Sequence, residues 1–230
     1  MPCSQCAGIE QVFNDAEAKR QLRRLNRRGP VRTTRLLIDA IGRALEATGV
    51  RDATLLDIGA GIGAIHHELL DGPVARATHV DGSSAHISVA RAEVQRRGHS
   101  DRVEFKQGDF VEMATDVPAT DVVTLDRVIC CYPDMELLVS RSAQKAGRLY
   151  GAVYPRQVAW MRVGIWAINL IQRVKGSAFR VFLHAPARID AVLRTAGLER
   201  VMRRQTLGWE VAVYSRRLAF ISHPAGDRQA

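Results

Sequence analysis

Five short runs, β-branched and mostly apolar, recur along the chain with helical stretches between them, and this alternation constrains the fold more than any other feature. They are "TLLDI" (54–58), "ATHVD" (77–81), "RVEFKQ" (102–107), "DVVTL" (121–125) and "GRLYGAVY" (147–154). Strands joined through helices run parallel, and a parallel sheet is covered on both faces. The expected class is therefore α/β, a Rossmann-like, doubly wound and mostly parallel sheet with helices on both sides. The tail adds a helix, "PARIDAVLRTAG", and two strand-like runs near 198–206 and 209–217.

The helices have readable ends. Asp15 can cap a helix that runs to Gly29, and a second helix fits residues 33 to 48, with Leu37, Ile41 and Leu45 on one face and Gly49 closing it. The clearest is "SAHISVARAEVQRRG", with Ile87, Ala90 and Val94 at helical spacing and Gly98 at its end. Residues 1–48 read as a helical cap segment and 49–230 as the main domain, interrupted by a helical insertion at about 156–178. Within that insertion "VAWMRVGIWAINLI" holds one charge, Arg162, in fourteen residues. It is short of the roughly 20 apolar residues of a membrane span. It reads as a core helix, a lid over a substrate pocket, or a face resting on an anionic membrane.

In an open α/β sheet, ligands bind beyond the carboxyl ends of the strands. The first strand ends in "LLDIGAGIG", with Gly59, Ala60, Gly61 and Gly63 leading into the helical "AIHHELL". Glycine tolerates tight dihedrals and lets a ligand approach the backbone. Gly59-x-Gly61-x-x-Ala64 also satisfies the looser dinucleotide fingerprint, so a nicotinamide or flavin enzyme competes. Acids at strand ends favour a different ligand. Asp81, in "HVDGS" with Gly82 and Ser83, can accept both hydroxyls of a ribose, and Asp109 beside Phe110 suits the edge and face of an adenine. Asp57 would repel a pyrophosphate and welcome a cationic amino acid or sulfonium. The set favours S-adenosylmethionine.

At this point "LLDIGAGIG", "HVDGSSAHI", "VEFKQGDF" and "DVVTLDRVI" together resemble the successive motifs of class I S-adenosylmethionine-dependent methyltransferases, over roughly residues 33 to 155. The resemblance implies methionine-end contacts at Asp57, Gly59 and Gly61, a ribose contact at Asp81, and adenine contacts at Asp109 and Phe110. It assigns the same cofactor-binding set to Ala60, Gly63, Gly82, Ser83 and Asp126. It also implies a seven-stranded sheet with a reversed last strand, which the two runs in the tail fit. More narrowly, "DRVICCYPD" (126–134) and the leading "VFNDAEAKRQLRRLNRRGPVRTT" are similar to magnesium-protoporphyrin O-methyltransferases, with Cys131 standing where that pattern has histidine. The amide-bearing motif of amino-methylating nucleic-acid enzymes is absent.

Catalysis of this kind asks for alignment and exclusion of water. A carboxylate acceptor, with a pKa of roughly 4, needs no base. A hydroxyl acceptor would benefit from one, and Tyr132 and His184 are the candidates. Tyr132 also reads as a wall residue and His184 as structural, while Arg127 pairs either with a substrate anion or with a surface acid. The expected reaction is methyl transfer, most simply to oxygen, on a small or medium-sized amphipathic acceptor. A nicotinamide oxidoreductase and a non-catalytic S-adenosylmethionine-binding protein stand as alternatives.

The remaining features bound the setting. Of the net charge of +9, residues 17–43 contribute heavily, with nine basic residues against Glu17 and Asp39. This is either a solvated helix face or an attractor for an anionic partner. The segment is nearly without aromatics, which argues against nucleic acid. Cys3 and Cys6 form a CxxC with no second one, and neither the His66–His67 nor the Cys130–Cys131 pair has metal-ligand spacing, so no metal is expected. The N-terminus lacks a basic region followed by an apolar core, which makes a cytoplasmic location, with peripheral membrane contact, the expectation. Oligomeric state is left open.

Overall fold

A computed structural model describes residues 4–216, with side chains from residue 8 onward. Cys3, the side chain of Cys6 and residue 217 lie outside the described residues. The elements are α1 (Ser4–Val12), α2 (Asp15–Arg28), α3 (Arg32–Ala47), β1 (Ala53–Ile58), α4 (Ala64–Leu70), β2 (Val74–Asp81), α5 (Ser84–Arg97), β3 (Val103–Gln107), α6 (Phe110–Met113), β4 (Thr120–Asp126), α7 (Met135–Lys145), β5 (Ala146–Pro155), α8 (Ala159–Val174), α9 (Pro186–Thr195), β6 (Leu198–Gln205) and β7 (Trp209–Arg216).

The strands form one seven-stranded sheet in the order β3-β2-β1-β4-β5-β7-β6. β1 pairs in parallel with both β2 and β4, and β7 runs antiparallel between β5 and β6. The order therefore reverses between β1 and β4, and the carboxyl ends of these two strands open a crevice. Their far ends are pinned: the amide and hydroxyl of Thr54 both donate to Asp121 Oδ2, at 2.9 and 2.8 Å.

Alternation along β1 sends Leu55 to one face and Leu56 to the other. Leu55 packs with Leu37, Ile41 and Leu45 of α3 and Leu69 of α4, so α3 covers the sheet. Leu56 packs with Leu138 and Val139 of α7 and Ile189 and Leu193 of α9. Each such side chain, fully buried, contributes about 1.5–3 kcal/mol. α2 lies outside this sandwich, burying Ala18 and Leu25 against Ala85 and Val89 of α5.

Two local readings shift. The cap of α2 is Asn14, whose Oδ1 accepts from the amides of Ala16 and Glu17, and Asp15 falls in the first turn, where a negative charge still favours the helix dipole. α8 buries only Ile165, which removes the core-helix reading of the insertion. Among the described residues no helix is long and apolar enough to cross a membrane.

Candidate active site

The crevice is a cavity of about 590 Å³, within the roughly 300–1,000 Å³ typical of small-molecule sites. The sequence-predicted residues Asp57, Gly59, Ala60, Gly61, Asp81, Gly82, Asp109, Phe110, Asp126, Arg127 and Tyr132 all line it. Gly63, Ser83 and His184 are not among its lining residues.

The loop after β1 explains its glycines by space. Gly59, at φ 61°, has Val128 pressed so close that an added Cβ would stand 2.4 Å from Val128 Cγ2. Gly61, at φ 57°, meets only His86 Nδ1 at 4.0 Å, so a side chain there would project into open space beside the cavity. Gly63 serves the fold: it starts α4, and a Cβ would strike the rings of His66 and His67.

Asp57 sits at the end of β1, buried. Thr124 donates to its Oδ1 at 2.8 Å, whereas Oδ2 has no hydrogen-bond partner among the described residues. Burial, with a smaller repulsion from Asp126, pushes its pKa up to about 7. His66 Nδ1 is 3.5 Å from Oδ2, but burial holds that imidazole down at about 3. The histidine is thus neutral at physiological pH, and the contact is not an ion pair. A buried carboxylate oxygen without a donor, facing a cavity, fits the cationic amino-acid end of S-adenosylmethionine.

Asp81 ends β2 and knits the floor together. Its Oδ2 accepts the Gly61 amide and its Oδ1 the Ser83 amide, both at 2.7 Å. Burial raises its pKa, opposed by the neighbouring His86 and by these two amides. Each oxygen keeps a second lone pair for a ligand hydroxyl. Ser83 is spent on structure: its hydroxyl donates to the Phe13 carbonyl and accepts the His86 amide, tying α1 to the start of α5.

Asp109 caps α6, its Oδ1 accepting the Val111 amide at 2.8 Å, while its Oδ2 accepts the Tyr132 hydroxyl at 3.0 Å. Phe110, buried, gives the cavity an apolar face beside it. Tyr132 therefore braces Asp109 at the cavity wall through its phenol. His184 Nε2 lies 2.9 Å from the Tyr132 carbonyl, its ring stacked on Phe182, and burial lowers its pKa. At the end of β4, Asp126 accepts from Thr34 of α3 and from Arg127 Nε, the latter at 3.1 Å. Arg127, in the left-handed region at φ 62°, is thus paired with its own neighbour, and its guanidinium stands 6.0 Å from the Trp209 ring centre.

The other end of the cavity carries residues that no motif announced. Phe13 of the α1–α2 turn, Gln21 and Arg24 of α2, Met161, Ile165 and Ile168 of α8, and Trp209 of β7 wall it. The basic run in the sequence marked α2, but which of its arginines turns inward required the packing against α5. Thr34 had no signal at all. Among the described residues no cluster of three or more His, Cys, Asp or Glu side chains is arranged to hold a metal ion.

Residues 50–159 match a family model described as a methyltransferase domain. No curated protein matches the sequence. Among solved structures, the chain is similar to the magnesium protoporphyrin IX methyltransferase of Synechocystis PCC 6803 with bound SAH, at 18% identity and a TM-score of 0.67, over 90% of this chain and 98% of that one. It is also similar to an O-methyltransferase family protein from Burkholderia thailandensis, at 18% identity and a TM-score of 0.66, over 90% of this chain and 62% of the other. At these identities the structures speak for the fold. Residues 50–159 therefore carry a methyltransferase domain, set in the seven-stranded, mostly parallel fold that the chain shares with S-adenosylmethionine-dependent methyltransferases. Its cofactor is S-adenosylmethionine, and the nicotinamide reading of the glycine spacing is set aside.

Proposed function

We propose that the enzyme methylates an oxygen, that of an ionised carboxylate on an amphipathic, porphyrin-like acid. The observation that carries this reading is an apolar end of the cavity with an arginine in its wall, where both bases suggested by the sequence, Tyr132 and His184, are engaged elsewhere. Ile165, Ile168, Phe13 and Trp209 supply apolar wall, and Arg24 supplies positive charge; Arg127 is balanced by Asp126, and Glu17, also in the wall, is paired with Arg20. The Tyr132 phenol is committed to Asp109 and His184 to a backbone carbonyl. An acceptor that is already ionised at neutral pH needs neither.

The bound cofactor would supply an activated methyl group on a sulfonium. This chain's part is to hold the cationic end at Asp57, orient the acceptor carboxylate with Arg24, and exclude water under α8. Arg24 lines the cavity, and among the described residues no hydrogen bond or ion pair holds its guanidinium, which suits it to an anionic ligand. The names of the two structural neighbours, a protoporphyrin methyltransferase and an O-methyltransferase family protein, are compatible with such chemistry. Acids of this kind partition into lipid, so the reading also puts the enzyme in peripheral contact with a membrane.

The test is a methyl-transfer assay with a porphyrin dicarboxylic acid, its doubly amidated derivative and a phenol of similar size. Transfer to the free acid alone is expected, and Arg24→Gln should raise KM for it roughly tenfold or more while leaving S-adenosylhomocysteine affinity unchanged. Transfer to the phenol in preference would move the acceptor to a hydroxyl. Cofactor binding without transfer to any acceptor would favour the non-catalytic reading.

A further inference from the structure

α8 presents two different apolar stripes. One lines the cavity: Met161, Ile165 and the partly exposed Ile168, while the Asn169 side chain clamps the Val181 backbone through two 2.8 Å hydrogen bonds. The other faces solvent. Trp160, Val163, Trp166, Leu170, Ile171 and Val174 are all exposed, Trp166 at 66% and Val174 at 81% of their full surface. At about 100° per residue these six span roughly 140° of the helix circumference without a polar side chain among them. A monomer in water gains nothing from such a stripe.

The charge around it is of one sign. From residue 156 to residue 189 the chain contains no Asp or Glu, while Arg156, Arg162, Arg173, Lys175, Arg180 and Arg188 are all basic. On the helix, Arg162 and Arg173 follow the Trp166 edge of the stripe, and Lys175 stands beyond the opposite edge. Tryptophans at the rim of an apolar stripe, with bases flanking it, match the cross-section of a bilayer surface, where rings and aliphatic side chains enter the acyl boundary and bases meet phosphate. A second copy fits worse, because a two-fold pairing of this face would set arginines against arginines.

We infer that the outward face of α8 docks on an anionic lipid bilayer while its inward face roofs the acceptor cavity. Docking then holds the mouth of the cavity at the depth where an amphipathic acid resides. That last step rests on the acceptor reading above; the docking itself stands on the helix alone.

The experiment uses the full chain with vesicles of phosphatidylcholine alone and of phosphatidylcholine with phosphatidylglycerol, read by sedimentation and by tryptophan emission. Binding to the anionic vesicles with a blue shift is expected, weakening as salt rises and at least tenfold weaker on neutral vesicles. The double substitution Val163→Glu with Leu170→Glu, at two positions off the cavity, should cut binding at least tenfold while S-adenosylhomocysteine titration stays at the wild-type value. Wild-type protein that stays in the supernatant at low salt overturns the proposal, as does equal binding to both vesicle types. A concentration-dependent dimer that the same double substitution abolishes would give the face to a second copy and overturn it as well. The S-adenosylhomocysteine titration is independent of the vesicles, so a failure of docking leaves the methyltransferase reading untouched.

Discussion

At the end of the cavity proposed for the cofactor, Asp57, Asp81 and Phe110 are buried and fixed by strand ends, backbone amides and caps. At the end proposed for the acceptor, helices outside the sheet wall the same space, and α8 buries only Ile165. The first end must meet one molecule in one pose, so its demands fall on the backbone: positive φ at the glycines, an acid where each strand stops. Those demands restrict residue type and leave short motifs in the chain. The second end needs only apolar surface and a few charges at the right distance, which many side chains on many helical turns can supply. A motif records constraint on the backbone, and only the cofactor end is constrained in that way.

The largest expected effect tests the cofactor end. Gly61→Val should abolish S-adenosylhomocysteine binding by isothermal titration, a loss of at least a hundredfold. The valine would be strained at φ 57° and would fill space beside the amide that Asp81 holds. The fold should survive, since an added Cβ there meets nothing closer than His86 at 4.0 Å. Retained binding would mean that the cavity takes its cofactor elsewhere.

Next comes the pH dependence of Asp57. Its carboxyl, raised by burial to about 7, must lose a proton to receive a cation. Affinity for S-adenosylmethionine should be flat above pH 7 and fall up to tenfold per unit below it, with proton uptake by the protein opposing binding. Stability of the empty protein carries the opposite trend. The folded state holds its proton up to about 7 and the unfolded chain only to 3.8, so stability contributed here is present below 3.8 and is lost as pH rises towards 7. Asp57→Asn should flatten both curves, raise the melting temperature of the ligand-free protein above pH 7, and weaken cofactor binding. An unchanged melting profile would show that Asp57 is not held neutral by its surroundings.

The same contrast explains what was legible. The strands were read from β-branched runs because both faces of a parallel sheet demand apolar residues, and each run lies on an observed strand. Of the cofactor set, the residues beside the backbone line the cavity, while Ser83 and Gly63 turned out to support α5 and α4. A polar residue next to a ligand loop satisfies a cap as readily as a ligand, and sequence does not separate the two. The same ambiguity put the α2 cap at Asp15 instead of Asn14. Thr34 was invisible, and Arg24 could not be singled out from the basic run read as an attractor for an anionic partner, because their positions arise from α3 and α2 packing over the crevice, across ninety and more residues of chain in the case of Thr34 and Asp126.

The smallest effects are expected where the two ends meet, at Tyr132. Its phenol donates to Asp109 on the cofactor floor, and its carbonyl is held by His184 behind it. One hydrogen bond of this kind contributes about 1 kcal/mol. Tyr132→Phe should therefore weaken S-adenosylhomocysteine binding about fivefold, and His184→Ala should change it less, because that ring touches the turn and not the cavity. With a carboxylate acceptor no proton leaves in the transfer step, so kcat should change by less than about tenfold in either variant. The pH profile of kcat should also keep its shape when the phenol is removed. A fall of several orders of magnitude in kcat, with cofactor affinity intact, would turn Tyr132 from a brace between the two ends into a base for a hydroxyl acceptor. That outcome would carry the acceptor site down to the cofactor floor and erase the division between the two ends at this residue.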